Sequence, residues 1–251
     1  MVAVAEPDLL AALRARLARD GLNIVLPLSA PLFDGVCAGV NLPALGTLLD
    51  GAAGAVVVGD GGPAFFARFQ GQAAGQPPGD DPLDRHTRSS IDNAVSDVLG
   101  PTGLNVGSRT MYPFMTEPAR SALPFQRLGV AAGLPAAGPL GLQIHPTYGP
   151  WWAYRALIVV AAPLVGGPPL AASCPGCPRP CEAACPGGAV AAGGFAVGAC
   201  GAHRLRDPRC HDSCAARLGC PVGSDHSYPA SQAAFHMRSS LAQIRRSPAV
   251  T

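Results

Sequence analysis

The sequence from Cys174 to Pro186 reads C-P-G-C-P-R-P-C-E-A-A-C-P, and it decides how the last third of this chain folds. A second group follows, in which Cys200 stands alone and Cys210 opens the run C-H-D-S-C-A-A-R-L-G-C-P, which ends at Pro221. The two groups hold eight of the nine cysteines, and each group ends in Cys-Pro. So many thiols in so short a stretch indicate either a disulfide framework or bound metal.

Disulfides and structural zinc both use closely spaced cysteines. Disulfides suit secreted chains, but residues 1–7 contain Glu6 and lack the basic start of a signal peptide, which favours a reducing compartment. Structural zinc sites usually take two well-separated pairs of cysteines rather than three or four in one run. Both interpretations stay open at this point, although neither accounts for the Cys-Pro endings.

Iron–sulfur clusters fit the spacing best. Three closely spaced cysteines followed by Cys-Pro is the pattern of bacterial two-cluster ferredoxins, in which the fourth cysteine of a run ligates the other cluster. The longer gaps from Cys177 to Cys181 and from Cys210 to Cys214 leave the pairing of cysteines with clusters open. The crossover pattern predicts one 4Fe–4S site at Cys174, Cys177, Cys181 and Cys220, and a second at Cys185, Cys200, Cys210 and Cys214.

Composition excludes several classes of protein. The chain has 251 residues, of which 48% are hydrophobic and 14% are charged, so it can bury a sizeable core without disulfides. The formal net charge of +2 gives no electrostatic reason to expect nucleic acid or an anionic membrane surface as a partner. The apolar runs at 129–142 and 156–165 contain Gly or Pro and fall short of the ~18 residues that a membrane span needs. We therefore expect a cytoplasmic protein.

The residues before the cysteines predict an α+β domain. Leu9, Leu13 and Leu17 share one helical face within residues 7–19, and the run G-A-V-V-V-G at 54–59 indicates a buried strand. Further helices are expected at 42–49, 63–70, 83–99 and 122–134, further strands at 22–28, 109–115, 141–144 and 154–163, and a loop at 29–41. A Gly- and Pro-rich linker at 165–172 then separates an α/β cofactor- or substrate-binding domain (1–165) from a ferredoxin-like iron–sulfur module (166–251).

The segment before the linker resembles a known enzyme superfamily. The runs L-P-F-Q-R-L (123–128), A-A-G-L (131–134) and G-L-Q-I-H-P-T-Y-G-P-W (141–151) are similar to a stretch of epoxyqueuosine reductase and of the related reductive dehalogenases. In that superfamily this stretch precedes a strand and a two-cluster ferredoxin module. The resemblance covers residues 123–221 and includes the isolated Cys200, whereas the tail after Cys220 looks more like that of small bacterial ferredoxin-type proteins.

The resemblance implies a nitroreductase-like fold for the N-terminal domain and a bound cobalamin that receives electrons from the clusters. The Gly-Lys-Asn of the family is replaced by Gly138-Pro139-Leu140. The chain also lacks the C-terminal helical repeats of the queuosine enzyme, so tRNA is not expected as a partner. No catalytic acid can be matched residue by residue, and the catalytic residues therefore stay unknown.

Several other residues are candidates for contact with a cofactor. His145, Tyr148 and Trp151 are expected either to line a flat macrocycle pocket or simply to pack over the linker. Cys37 stands outside both cysteine groups and is expected to be a small buried apolar residue. The arginines near the second group are expected either to donate to cluster sulfurs and offset cluster charge or to lie solvated at the surface. They are Arg204, Arg206, Arg209 and Arg217.

These patterns support three hypotheses about function. In the first, the chain is an oxidoreductase in which two 4Fe–4S clusters pass single electrons to a cofactor or substrate in the N-terminal domain. A corrinoid is the candidate cofactor, and a redox partner protein supplies the electrons. In the second, the chain is a ferredoxin-type electron carrier without a catalytic site. In the third, the cysteines form a structural zinc-binding module.

Overall fold

The computed structural model describes residues 6–73, 81–100, 103–104, 106–114 and 123–246. Its helices and strands are, in chain order, α1 (Glu6–Ala18), β1 (Ile24–Ser29), α2 (Ala30–Ala38), α3 (Leu45–Leu48), β2 (Gly54–Gly61), α4 (Ala64–Ala73), α5 (Pro82–Leu99), β3 (Ser108–Met111), α6 (Phe125–Ala131), β4 (Trp152–Val160), α7 (Pro180–Ala183), β5 (Val190–Ala191), β6 (Gly194–Phe195), α8 (Val197–Arg206), α9 (Ala215–Leu218) and α10 (Ala230–Arg246), with short 3-10 turns at Pro208–Cys210 and Ser224–His226. The ends of the predicted strand at 109–115 and of the predicted helix at 122–134 lie outside the described residues.

The described residues form two compact units. The first unit contains the residues up to Leu134 together with Ala153–Pro169, and the second unit contains Pro135–Trp152 together with the residues from Leu170 onward. The predicted domain boundary between residues 165 and 166 stays a prediction. The segment Pro135–Trp152 belongs to the cysteine-rich unit, although it precedes most of β4 in the chain.

A four-stranded sheet forms the centre of the first unit. Its strand order is β1-β2-β4-β3, with β1 antiparallel to β2 and β3 antiparallel to β4. The register pairs Ile24 with Gly59 in the first ladder and Ser108 with Val160 in the last. Every residue of β2 is buried, as expected for an inner strand whose two faces are both covered.

Helices pack against this sheet and complete the core of the first unit. Phe33 and Cys37 of α2 and Leu128 of α6 join one apolar cluster with alternate strand residues such as Val57 and Leu157. The strand residues between them are also buried, and α1, α4 and α5 contact β1, β2 and β3 respectively. The prediction that Cys37 is a buried apolar residue is confirmed, since its side chain is fully buried.

Two predicted elements are wrong. Residues 29–41, predicted as a loop, contain α2. Pro31 is compatible with this helix because it lies in the first turn, where a backbone N–H has no partner within the helix. Residues 141–144, predicted as a strand, form turns that are joined only by isolated bridges from Ala137 to Gln143 and from His145 to Gly149. Ile144 of that segment is buried by packing in the second unit rather than by a sheet, whereas Leu142 is exposed.

The strand predicted at 22–28 spans Ile24–Ser29 and runs through Pro27. Pro27 lies opposite Val56 in the β1–β2 ladder. The strand order places β1 at the edge of the sheet, and an edge strand tolerates a residue without an N–H because one of its sides needs no ladder partner.

The mixed α and β composition of the predicted fold is confirmed, whereas the nitroreductase-like and ferredoxin-like assignments stay predictions. Among the residues that the structure describes, none of the helices has both the length and the apolar content to cross a membrane.

Cysteines form much of the core of the second unit. Its apolar cluster is built from Leu140, Ile144, Val190, Ala216 and Cys181, and four further cysteines pack against that cluster. The regular elements around it are short, since α7 and α9 have four residues each and β5 pairs with β6 over two residues. All nine cysteines of the chain are free thiols. A core this small ordinarily needs a metal or a cross-link for stability.

Candidate metal centre

Four cysteines of the second unit line a first, narrow cavity of about 20 Å³. This volume has room for about one water molecule. The cysteines are Cys174, Cys177, Cys181 and Cys220. Pro139, Leu140 and Ile144 form an apolar part of the wall beside them.

The other four cysteines line a second cavity of about 390 Å³. They are Cys185, Cys200, Cys210 and Cys214. The structure therefore brings the eight cysteines together in the same two groups of four that the crossover pattern predicts. Their role as metal ligands stays a prediction.

Two short helices, α7 and α9, each place one cysteine at the first cavity and one at the second. Cys181 lies within α7 and faces the first cavity, whereas Cys185 follows α7 and faces the second. In the same way Cys214 precedes α9 and faces the second cavity, whereas Cys220 follows α9 and faces the first. The two helices contact each other, so each cavity depends on the placement of both.

Burial disfavours the thiolate form of these cysteines when no cation is bound. Burial raises the pKa of five of them, and neighbouring cysteines of the same group raise it further. These five are Cys174, Cys181, Cys200, Cys210 and Cys220. A metal centre would hold the same groups as thiolates, because its positive charge offsets the cost of burying them.

Backbone amides already point at one sulfur of each group. The N–H of Arg179 donates to Sγ of Cys177 at 3.4 Å, and the N–H of Ala189 donates to Sγ of Cys185 at 3.3 Å. Hydrogen bonds of this kind stabilise thiolates and tune the reduction potential of iron–sulfur clusters.

A set of four thiols suits either one zinc ion or a 4Fe–4S cluster. Zinc needs four sulfurs that converge at about 2.3 Å from one point. Across the described ranges, no three side chains of His, Cys, Asp or Glu converge closely enough to hold one metal ion. The second cavity has room for a multi-atom cluster, whereas in the first cavity the thiols must separate to admit one. The four-thiol donor set fits a 4Fe–4S cluster in both.

The segment Pro135–Trp152 forms a wall of both cavities, which sequence reasoning missed. Leu140 lines both cavities, so they are separated by a shared side chain. A Cβ at Gly138 would lie 2.8 Å from Sγ of Cys174, and glycine therefore allows this wall to approach the thiol. The sequence signal was the pair Gly138 and Gly141, of which Gly141 has a φ of 70° that marks a turn rather than a strand.

His145 and Tyr148 pack against the chain that follows Cys220. The ring of His145 lies 4.9 Å from that of Tyr148, which lies 4.8 Å from the ring of His226. Nδ1 of His145 accepts hydrogen bonds from the backbone N–H groups of Thr147 and Tyr148 at 3.1 and 3.3 Å. Burial lowers the pKa of His145 to about 4, and repulsion from His226 adds to the shift, so the ring is neutral with its proton on Nε2.

Trp151 belongs to an aromatic cluster around an arginine. Its ring lies 5.5 Å from that of Tyr228, and the guanidinium of Arg217 lies 4.7 Å from both ring centroids. Arg217 also donates to the carbonyl of Pro150. Within the described residues, the side chains of His145, Tyr148 and Trp151 line neither cysteine cavity. Their contact with a cofactor stays a prediction.

Solved structures with a similar fold include epoxyqueuosine reductases and a B12-trafficking protein. Epoxyqueuosine reductase from Bacillus subtilis gives a TM-score of 0.58 at 16% identity, covering 90% of this chain and 68% of that chain. The enzyme from Streptococcus thermophilus gives 0.55 at 14% identity, covering 87% and 67%. The C. elegans B12-trafficking protein CblC, a homologue of human MMACHC, gives 0.56 at 13% identity, covering 96% and 95%.

The chain shares the fold of epoxyqueuosine reductase. The resemblance predicted from residues 123–221 is therefore confirmed at the level of the fold. No model of a protein family matches the sequence, and no curated protein matches it. At these identities the likeness carries the fold alone, and the chemistry has to be argued from the residues of this chain.

Replacing Gly138 by Ala is expected to empty the first cysteine group of metal. The new Cβ meets Sγ of Cys174 at 2.8 Å, and relief of that contact turns the thiol out of the cavity. We expect the iron and acid-labile sulfide of anaerobically prepared protein to fall by about half. Gly198→Ala is the matched control, because a Cβ at Gly198 meets open space. Equal iron in both variants would contradict the role given to Gly138.

The low pKa of His145 predicts a loss of stability in acid. The unfolded chain binds a proton at His145 near pH 6.5 and the folded chain only near pH 4, so stability falls as pH falls through this window. Between about pH 7.5 and about pH 5 the loss from this group is about 2 kcal/mol. In His145→Asn the amide oxygen can accept the same two N–H groups without titrating. Urea unfolding at both pH values should show a smaller pH dependence for the variant, and an unchanged dependence would refute the assignment.

Proposed function

We propose that the chain is an iron–sulfur oxidoreductase whose second unit holds two 4Fe–4S clusters and whose first unit binds the cofactor or substrate that is reduced. The observation that carries the proposal is the pair of cavities, each faced by four free thiols and no thiol shared between them. A structural zinc site needs neither the crossover of cysteines nor a second cavity of about 390 Å³.

Two 4Fe–4S clusters, when bound, supply one-electron transfer to an acceptor. In the proposal Cys174, Cys177, Cys181 and Cys220 hold the first cluster, and Cys185, Cys200, Cys210 and Cys214 hold the second. The side chains of Leu140, Ile144 and Val190 limit the access of water to these thiols, since all three are buried in the same core cluster. Restricted water both protects a cluster and shapes its reduction potential.

A corrinoid is the candidate acceptor in the first unit. The support is indirect, and it consists of the family resemblance and of the likeness in fold to a B12-trafficking protein. A redox partner protein in the cytoplasm would supply the electrons, and a small molecule would be the final substrate. Tyr148, Trp151 and His145 are kept as candidate cofactor contacts. The rings of His145 and Tyr148 share one aromatic group with His226, and the ring of Trp151 belongs to another with Tyr228.

Single cysteine variants test the two-cluster assignment. Cys177→Ala should disturb one cluster and Cys214→Ala the other, because the two thiols face different cavities. Each variant is expected to lose about half of the bound iron and to keep the EPR signal of one reduced cluster. Cys37→Ala is the control, since Cys37 lies in the core of the first unit and its loss should leave the iron unchanged. Stoichiometric zinc in the wild type would reject the proposal.

A titration with hydroxocobalamin distinguishes the oxidoreductase from an electron carrier. If the first unit binds a corrinoid, anaerobic protein should perturb the corrinoid absorbance with saturation at one equivalent. Cys214→Ala should behave as the wild type in this titration, because Cys214 is assigned to the second cluster and is not among the candidate corrinoid contacts. An unperturbed spectrum would favour the ferredoxin-type carrier, in which the first unit only docks redox partners.

A further inference from the structure

Arg204 is a buried cation whose hydrogen bonds all go to neutral groups. Its side chain is 6% exposed. Nε donates to the carbonyl of Cys210 at 3.2 Å, Nη1 to Oγ of Ser240 at 3.0 Å, and Nη2 to the carbonyl of Met237 at 2.6 Å. Among the ion pairs of the described residues, none includes Arg204. A buried guanidinium without a carboxylate is costly, so an anionic partner is expected beside it.

The position of Arg204 identifies that partner. Arg204 lines the second cavity and lies one helical turn after Cys200 on α8, so both side chains are on one face of the helix. Burial raises the pKa of the Cys200 thiol, and Arg204 is the largest influence in the opposite direction. A 4Fe–4S cluster with its four thiolates carries net negative charge. Such a cluster in the second cavity would supply the missing anion.

A second cation lines the same cavity. Arg217 is held in place by Trp151 and Tyr228 and by its hydrogen bond to the carbonyl of Pro150. The remaining arginines of this region do not contribute in the same way. The side chain of Arg209 is 79% exposed and forms an ion pair with Asp207 at 2.6 Å. This pair offsets the negative charge that Asp207 places near Cys210. Arg206 is exposed.

The first cavity has a weaker electrostatic setting. Arg179 is its only lining cation within the described residues. The side chain of Arg179 is 42% exposed and pairs with Glu182 at 3.5 Å. Solvent screens an exposed charge, and a carboxylate next to it cancels much of its field. Burial raises the pKa of the Cys181 thiol and Glu182 raises it further, whereas Arg179 acts in the opposite direction on the pKa of Cys174.

We infer that Arg204, assisted by Arg217, holds the reduction potential of the cluster in the second cavity above that of the cluster in the first. This inference rests on the proposed function. Reduction adds one negative charge to a cluster, and a fixed cation in a medium of low dielectric constant favours the more negative state. The second cluster therefore takes the electron preferentially when both clusters are available.

The test is a redox titration of the anaerobic full-length protein with dithionite, followed by EPR. The wild type should show two reduction waves, of which the more positive is the one retained in Cys177→Ala. In Arg204→Met the equilibrium constant for that reduction should fall at least tenfold, which is ~59 mV for a one-electron couple. The other wave should stay in place. Arg204→Lys keeps the charge and should stay close to the wild type, and Arg179→Met should shift neither wave by this amount.

Several outcomes would overturn the inference. The first is a more positive wave that does not shift in Arg204→Met, and the second is an equal shift of both waves in that variant. The third is a shift in Arg204→Lys as large as in Arg204→Met, because this result would indicate a merely structural role for Arg204. If Arg204→Met does not retain the second cluster, Arg217→Met decides, and it must lower the same wave. A wild type without iron would reject the proposed function, whereas two clusters with unshifted waves would reject this inference alone.

Discussion

The second unit depends on thiols that are buried against one another. Eight cysteines face two cavities, and burial together with the neighbouring sulfurs raises the pKa of all five whose shift is resolved. The same groups are good ligands only as thiolates. The thiolate form of these cysteines is therefore costly to bury without a compensating cation, and in the proposed function the free energy of metal binding would add to the free energy of folding.

The first unit has no such requirement. Its sheet has a fully buried inner strand and an apolar cluster supplied by α2, α3 and α6, so ordinary burial stabilises it. Packing stabilises the first unit, whereas in the proposed function the second unit would also be stabilised by its metal centre. Leu140 and Gly138 show how closely the second unit packs around the two cavities, because Leu140 lines both of them and Gly138 lets the chain approach a thiol.

Sequence reasoning succeeded where a pattern is local. The crossover of Cys185 and Cys220 follows from the Cys-Pro endings, and the buried strand β2 follows from an uninterrupted apolar run. It failed where tertiary packing decides, as at residues 141–144, which were predicted as a strand but form bends whose Ile144 and Leu142 line the two cysteine cavities. It also missed α2, because Pro31 and Gly35 look like helix breakers although Pro31 occupies the permitted first turn. The sequence alone could not distinguish the buried Arg204 from the exposed Arg206 and Arg209.

The central claim is tested most directly by measuring iron, acid-labile sulfide and zinc in protein purified without oxygen, with EPR of the reduced sample. The account predicts about eight irons and about eight sulfides per chain, no stoichiometric zinc, and the coupled signal of two neighbouring reduced clusters. Stoichiometric zinc without iron would contradict it, and the cysteine-rich unit would then be a structural clamp rather than a redox centre.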